Sequence, residues 1–242
     1  MAANFHLFGL THLAILAAIV LLAALLAAVE RRLSPGSKGL RLGLAAVLLF
    51  DTAGWYGYMA WHGQSLFPSQ LPLDLCDVTL YLTVIALFTL SPAVFDVAYY
   101  SALAGTSMAL LTPDLWEQFP SLPTVQFFIA HGLVVTAVLY LVWSRLARPR
   151  KGSVARTMLA LNLLAAFDGV FNWIFKTNFM YLCAKPASAS LLDLLGPWPW
   201  YIAVTEGVAF VLFLLLYLPF RRSARREAQK KRNRPLKIMS TD

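Results

Sequence analysis

The chain has 242 residues, of which 59% are hydrophobic and only 13% charged, and its mean hydropathy is +0.65. A water-soluble globule of this length does not tolerate that composition, so the chain is read as a polytopic membrane protein. The formal net charge of +8 does not point to nucleic acid, because the excess sits in short loops and one tail, where anionic lipid head groups are the simpler partner.

Spans of around twenty apolar residues, the length a hydrocarbon core of about 30 Å requires, are predicted near 7–29, 40–60, 73–90, 93–111, 124–144, 154–176 and 199–220. The first is not a cleaved leader: no basic segment precedes it, and Glu30-Arg31-Arg32 follows as a stop. Between the third and fourth spans, Ser91 is expected to cap the next helix and Pro92 to occupy its first turn. Trp55, Tyr56, Tyr58 and Trp61 crowd the end of the second span, and Trp198, Trp200 and Tyr201 open the seventh, as interface anchors do.

Eighteen of the twenty Lys and Arg residues fall in 31–41, 145–156 and 221–237. Because basic residues near span ends stay on the cytoplasmic side, this spacing predicts an all-α, seven-transmembrane-helix bundle over 1–220, with its N-terminus outside and a basic cytoplasmic tail over 221–242, expected to be mobile. Short loops and the lack of a sorting signal suggest a bacterial plasma (inner) membrane. Oligomeric state is left open.

Chemistry is to be sought among polar residues inside the spans, since an ionisable group in hydrocarbon costs several kcal/mol and usually faces the bundle interior. At about 1.5 Å rise per residue, Cys76 lies roughly 5 Å, and His131 roughly 10 Å, below the outer boundary, with Glu206 at a similar depth. In the sixth span Asp168, Asn172 and Lys176 follow at i, i+4 and i+8, which places them on one face. With Asp74 and Asp77 beside Cys76, the polar set gathers in the outer half and suggests a pocket open to the outer leaflet. No H-x-x-x-H spacing joins the histidines, so neither a metal nor a cofactor is expected.

LPLDLCDVTLYL at 71–82, QFFIAHG at 126–132, KTNFMYLCAKP at 176–186 and SLLDLLGPWPWY at 190–201 resemble the YwaF/transmembrane protein 164 family of integral membrane proteins. The resemblance covers most of the chain from the second span to the seventh and implies a seven-helix lipid acyltransferase with a cysteine–histidine catalytic pair. The corresponding positions are Cys76 and His131. Where many relatives carry His, this chain has Asp74.

On this reading Cys76 takes an acyl chain from a phospholipid as a thioester, and His131 serves as base for the thiol and then for the lysolipid hydroxyl. Asp168 or Glu206 is the candidate third member that orients the imidazole. Asn172 and backbone N–H groups near the head of the third span are placed to receive the oxyanion. Lys176 is placed to meet a lipid phosphate, and Asp77, Asn178 and Trp198 complete the set expected to contact substrate.

Plainer roles compete. Cys76 and Cys183 are candidates for a disulfide that would silence the nucleophile, and His131 for a carbonyl hydrogen bond to a neighbouring helix. Asp51 reads as structural glue near mid-membrane, and Asp96 as a carboxylate favoured by a helix N-terminus. Trp198 reads first as part of a rigid helix entry. Two other functions stay open: a lipid-ester hydrolase with Thr79 or Thr52 as nucleophile, and a non-enzymatic transporter or receptor that uses Asp51, Asp77, Asp168 and Glu206 to bind a cation or relay protons.

Overall fold

A computed structural model describes residues 5–32, 37–115, 117–186 and 190–232, with only the backbone path described over 222–232. Each predicted apolar segment is helical: α1 (Leu10–Arg32), α2 (Lys38–Trp61), α3 (Leu75–Thr89), α4 (Pro92–Leu111), α5 (Leu122–Trp143), α6 (Ser153–Phe175) and α7 (Trp200–Arg232). No strand occurs among the described residues. Five helices, α1, α4, α5, α6 and α7 as far as Arg221, are long and apolar enough to cross a membrane. Helix α2 has 24 residues, but Asp51 and the Gly- and aromatic-rich stretch after it lower its hydropathy; α3 has 15 residues and is shorter than the rest.

Helix α5 occupies the centre, with α1, α2, α3 and the middle of α4 packed on it. Leu48, Leu87, Phe95, Tyr100, Val138 and Leu141 are closed off from the surroundings and form the core of this packing with Phe213 of α7. Helices α6 and α7 are peripheral, and only 11% of the apolar stretch of each is buried inside the protein. Leu159, Leu163, Trp173, Val211 and Leu215 point outward, the orientation expected where hydrocarbon rather than water is the solvent.

Several helix ends differ from expectation for identifiable reasons. Ser91 sits at the N-cap of α4 without a side-chain cap bond, so Pro92 alone marks that start. The α5 start is built by a reciprocal pair, with Ser121 Oγ accepting from the Thr124 N–H and Thr124 Oγ1 accepting from the Ser121 N–H. Helix α6 stops at Phe175 because Lys176 turns left-handed at φ 58°. The helical backbone of α7 runs through Arg232, so the first part of the predicted tail continues the helix, while 233–242 lie outside the described residues.

Helix α1 begins at Leu10 rather than near residue 7. His12, fully buried, accepts a hydrogen bond at Nδ1 from the Phe8 N–H (3.0 Å) and donates from Nε2 to the Leu110 carbonyl at the end of α4 (2.8 Å). The carbonyl can only accept, which fixes the tautomer. One ring therefore joins the chain before α1 to the α4 terminus. His12→Ala is expected to cost about 2 kcal/mol, the net of two buried hydrogen bonds, measurable as a lowered midpoint of thermal unfolding in detergent.

Candidate functional site

The start of α3 lies at the end of the bundle where the predicted polar residues gather. Asp74 occupies the N-cap position but does not cap α3 with its side chain. Its Oδ1 instead accepts the Met180 N–H at 2.9 Å, pinning the 176–186 connection over the helix start. The first-turn N–H groups of α3, that of Cys76 among them, are thus left without a side-chain cap from Asp74. Such groups, with the helix field behind them, favour developing negative charge.

Cys76 is a free, partly covered thiol in that first turn, and Cys183, also free, is exposed in the outer connection; the disulfide alternative is not formed. Cys183 is held by its backbone, whose N–H donates to Asn178 Oδ1. The Thr106 hydroxyl, 1% exposed and with no other partner, lies beside the Cys76 sulfur. Thr106 is delivered there by a π-helical stretch, Ser101–Thr106, in the middle of α4. A Cβ on Gly105 would come within 3.2 Å of the Leu75 side chain, so glycine there permits the close approach of α4 to the α3 start. Widened turns of this kind inside helices often mark functional positions.

His131 lies in the third turn of α5, stacked on Phe127 at 4.1 Å between ring centres. Its Nδ1 donates to the Phe127 carbonyl at 2.8 Å. The histidine thus bonds to its own helix and not to a neighbour. That bond puts the proton on Nδ1 and leaves the Nε2 lone pair available as a base. No hydrogen bond joins His131 to Cys76, Asp168 or Glu206, although α3 packs directly on α5.

The other predicted residues divide. Asp168 is fully buried with neither carboxylate oxygen partnered, and Asp74 is near enough to repel it. Asp77 is close to Asp74 and to Tyr56 and Tyr81, whose hydroxyls lie near each other. Glu206 faces out of the bundle and accepts from Asn162 Nδ2 at 2.8 Å, so it does not orient the imidazole in this arrangement.

Asn172 is buried, but its amide oxygen accepts from the Thr177 hydroxyl (2.8 Å) and the Phe179 N–H (2.9 Å), while Nδ2 donates to the Phe179 carbonyl (3.0 Å). It clamps the loop and is not presented to an oxyanion. Asn178 knots the same loop through the Cys183 and Ala184 backbones. Lys176 lies past the end of α6 and over the Trp173 ring at 6.0 Å, so the one-face arrangement holds for Asp168 and Asn172 but not for the lysine. Trp198 is 60% exposed and donates from Nε1 to the Leu182 carbonyl.

Asp51 is paired with Gln126 of α5, its Oδ2 accepting from Gln126 Nε2 at 3.1 Å, which is the structural role. Thr79 and Thr52 donate their hydroxyl protons to the Leu75 and Leu48 carbonyls of their own helices, the usual back-bonding of a helical threonine. A cavity of about 910 Å³ exists, but it lies between residues 5–7, the 112–119 connection and 190–194, and neither Cys76 nor His131 lines it. Tyr181 stands between the two regions. Burial, with Asp114 of that cavity and Asp74 of the α3 start nearby, raises its phenol above the ordinary value.

The apolar helices and the polar cluster enclosed at one end define an all-helical integral membrane protein. The chain belongs to the TMEM164 family, whose match spans residues 6–217. It is similar to an uncharacterized protein of Treponema pallidum (strain Nichols), 28% identical over 219 residues that cover 89% of this chain and 90% of the relative. No solved structure matches it.

Proposed function

We propose that the protein crosses a bacterial plasma membrane seven times, N-terminus outside and basic end inside, and that it transfers acyl chains between phospholipids through Cys76. The observation that carries the reading is the free Cys76 thiol in the uncapped first turn of α3, beside an otherwise unpartnered Thr106 hydroxyl. Family membership adds to it.

In the first half-reaction the Cys76 sulfur attacks the carbonyl carbon of a phospholipid ester while Nε2 of His131 takes the thiol proton. The C–O bond to the glycerol then breaks, and the proton passes from the imidazole to the departing lysolipid oxygen. In the second half a lysolipid hydroxyl gives its proton to His131, attacks the thioester and releases the thiol. On this reading proton removal accompanies attack rather than precedes it, which is general-base catalysis. Hydrogen bonds of this kind are often longer in an empty site than in the substrate complex. The first-turn N–H groups of α3 receive the oxyanion, in place of Asn172.

After incubation with a phospholipid bearing one labelled acyl chain, peptide mapping is expected to find that chain on Cys76 in a form cleaved by neutral hydroxylamine. Absence of label on Cys76, with label transfer between lipids intact, would sink this mechanism.

A second reading is favoured by Asp168, a buried carboxylate with no hydrogen-bond partner, with Asp74 nearby and Asp77 beside Asp74 in turn. That is the arrangement of a site that binds a cation or passes a proton. The same experiment separates the two, since a transporter forms no thioester and leaves the lipids unchanged.

A further inference from the structure

At the opposite end of the bundle, a cavity of about 560 Å³ opens between the α5–α6 connection, the turn from α3 to α4, and α7. Its floor is apolar, with Leu90, Pro92, Val142 and Phe220, and its rim carries Arg145, Arg148 and Arg150. The volume falls within the range of small-molecule sites. Among the described residues no acidic side chain lines it; Asp96 is 1% exposed and already committed to Arg150 and Arg156.

Arg145 is the informative residue. Helix α5 ends in a Schellman turn, with the Leu146 N–H donating to the Leu141 carbonyl and the Arg145 N–H to that of Val142. The left-handed position of such a turn is ordinarily glycine, but here it is an arginine at φ 63°. Among the described residues its guanidinium has no hydrogen-bond or ion-pair partner. A strained backbone position that carries an uncompensated cation into the mouth of a cavity points to a ligand rather than to folding.

We propose that this cavity binds one anionic phospholipid, its phosphate meeting the arginine rim and an acyl chain lying along Leu90, Pro92, Val142 and Phe220. The apolar floor argues for a lipid over free phosphate, because the phosphate needs only the rim. Arginine suits it through paired N–H donors. This site is independent of the chemistry at Cys76.

The test is native mass spectrometry of the detergent-purified full chain with phosphatidylglycerol, phosphatidylcholine or inorganic phosphate. One phosphatidylglycerol per chain is expected to be retained and phosphatidylcholine is not. Arg145→Gly is the decisive variant, because glycine suits φ 63° and the fold should be held or improved, while lipid affinity falls about fivefold for the lost charge. Arg148→Gln is expected to fall similarly. Equal retention of both lipids, unchanged affinity in Arg145→Gly, or displacement of the lipid by an equimolar amount of phosphate would each overturn the proposal.

Discussion

Cys76→Ala is expected to reduce acyl exchange between phospholipids to background, a loss of at least about a thousandfold, without a matching change in thermal stability. The sulfur is the only atom in the proposed cycle that becomes covalently bonded to the acyl group, and alanine leaves nothing to take its place. His131→Gln is expected to fall by about a hundred- to ten-thousandfold, the usual scale for a positioned base. The bond that His131 makes to the Phe127 carbonyl runs through Nδ1, a position the asparagine amide nitrogen reproduces, so an equal loss in His131→Asn would report proton transfer and not a loosened α5. Thr106→Val should show a smaller effect, about tenfold, as a hydroxyl beside the sulfur stabilises passing charge without carrying it. Cys183→Ser should be neutral, because that thiol is exposed and the Asn178 contacts use its backbone. Acyl exchange measured on labelled lipids, with an unfolding midpoint for each variant, separates chemistry from folding. Full activity in Cys76→Ala would remove the nucleophile and with it the proposed reaction.

The apolar helices were legible because a run of hydrophobic residues about as long as the bilayer is thick has one stable outcome. Their ends were legible wherever a local signal exists, as at Pro92. What the sequence hid was how each helix is rotated and which distant residue it meets. Asp51 finds Gln126, 75 residues away, and Asp96 finds Arg150, 54 residues away. Glu30 looked like a stop signal, yet it is 1% exposed and accepts the Tyr140 hydroxyl at 2.8 Å. Arg41, the last residue of the basic segment 31–41 at the head of the predicted second span, is 5% exposed and donates to the Leu87 carbonyl. In a helix that is apolar on nearly every side, hydrophobic periodicity does not say which face carries the polar exception.

The candidate site shows the same limit. The motif residues Cys76 and His131 stood out by type, whereas Asn172 was placed by helical face and Glu206 by depth. Neither depth nor helical face reveals that Asn172 closes a loop through Thr177 and Phe179, five and seven residues further on, or that Glu206 turns to Asn162. Thr106 was missed because a π-helical stretch in α4 leaves no reliable mark in sequence. The one available trace is Gly105, a small residue in an otherwise apolar helix.

Asp96→Ala is expected to be the most destabilising single change, at about 3 kcal/mol. The Asp96 carboxylate receives the Arg150 backbone N–H on Oδ1 (3.0 Å) and, on Oδ2, Arg150 Nε (2.9 Å) and Arg156 Nη2 (3.2 Å). It therefore fastens the α5–α6 connection and the start of α6 to α4. Breaking a buried pair by deleting one member usually costs somewhat more, but Arg150 and Arg156 are 42% and 48% exposed and regain water when released. The loss should fall mainly on the Asp96 side, as unmade hydrogen bonds in a closed site. Asp96→Asn is expected to lose less, since its amide oxygen still accepts one of these donors but brings no charge. Because α6 is otherwise held by little buried surface, the outcome should include release of α6 as well as a lower unfolding midpoint. Proteolysis at the α5–α6 connection in detergent reads that release directly. If Asp96→Ala matched the wild type in both measurements, the arginine contacts would be ornamental and the attachment of α6 would have to come from its apolar face, Tyr100 and Ser153 included.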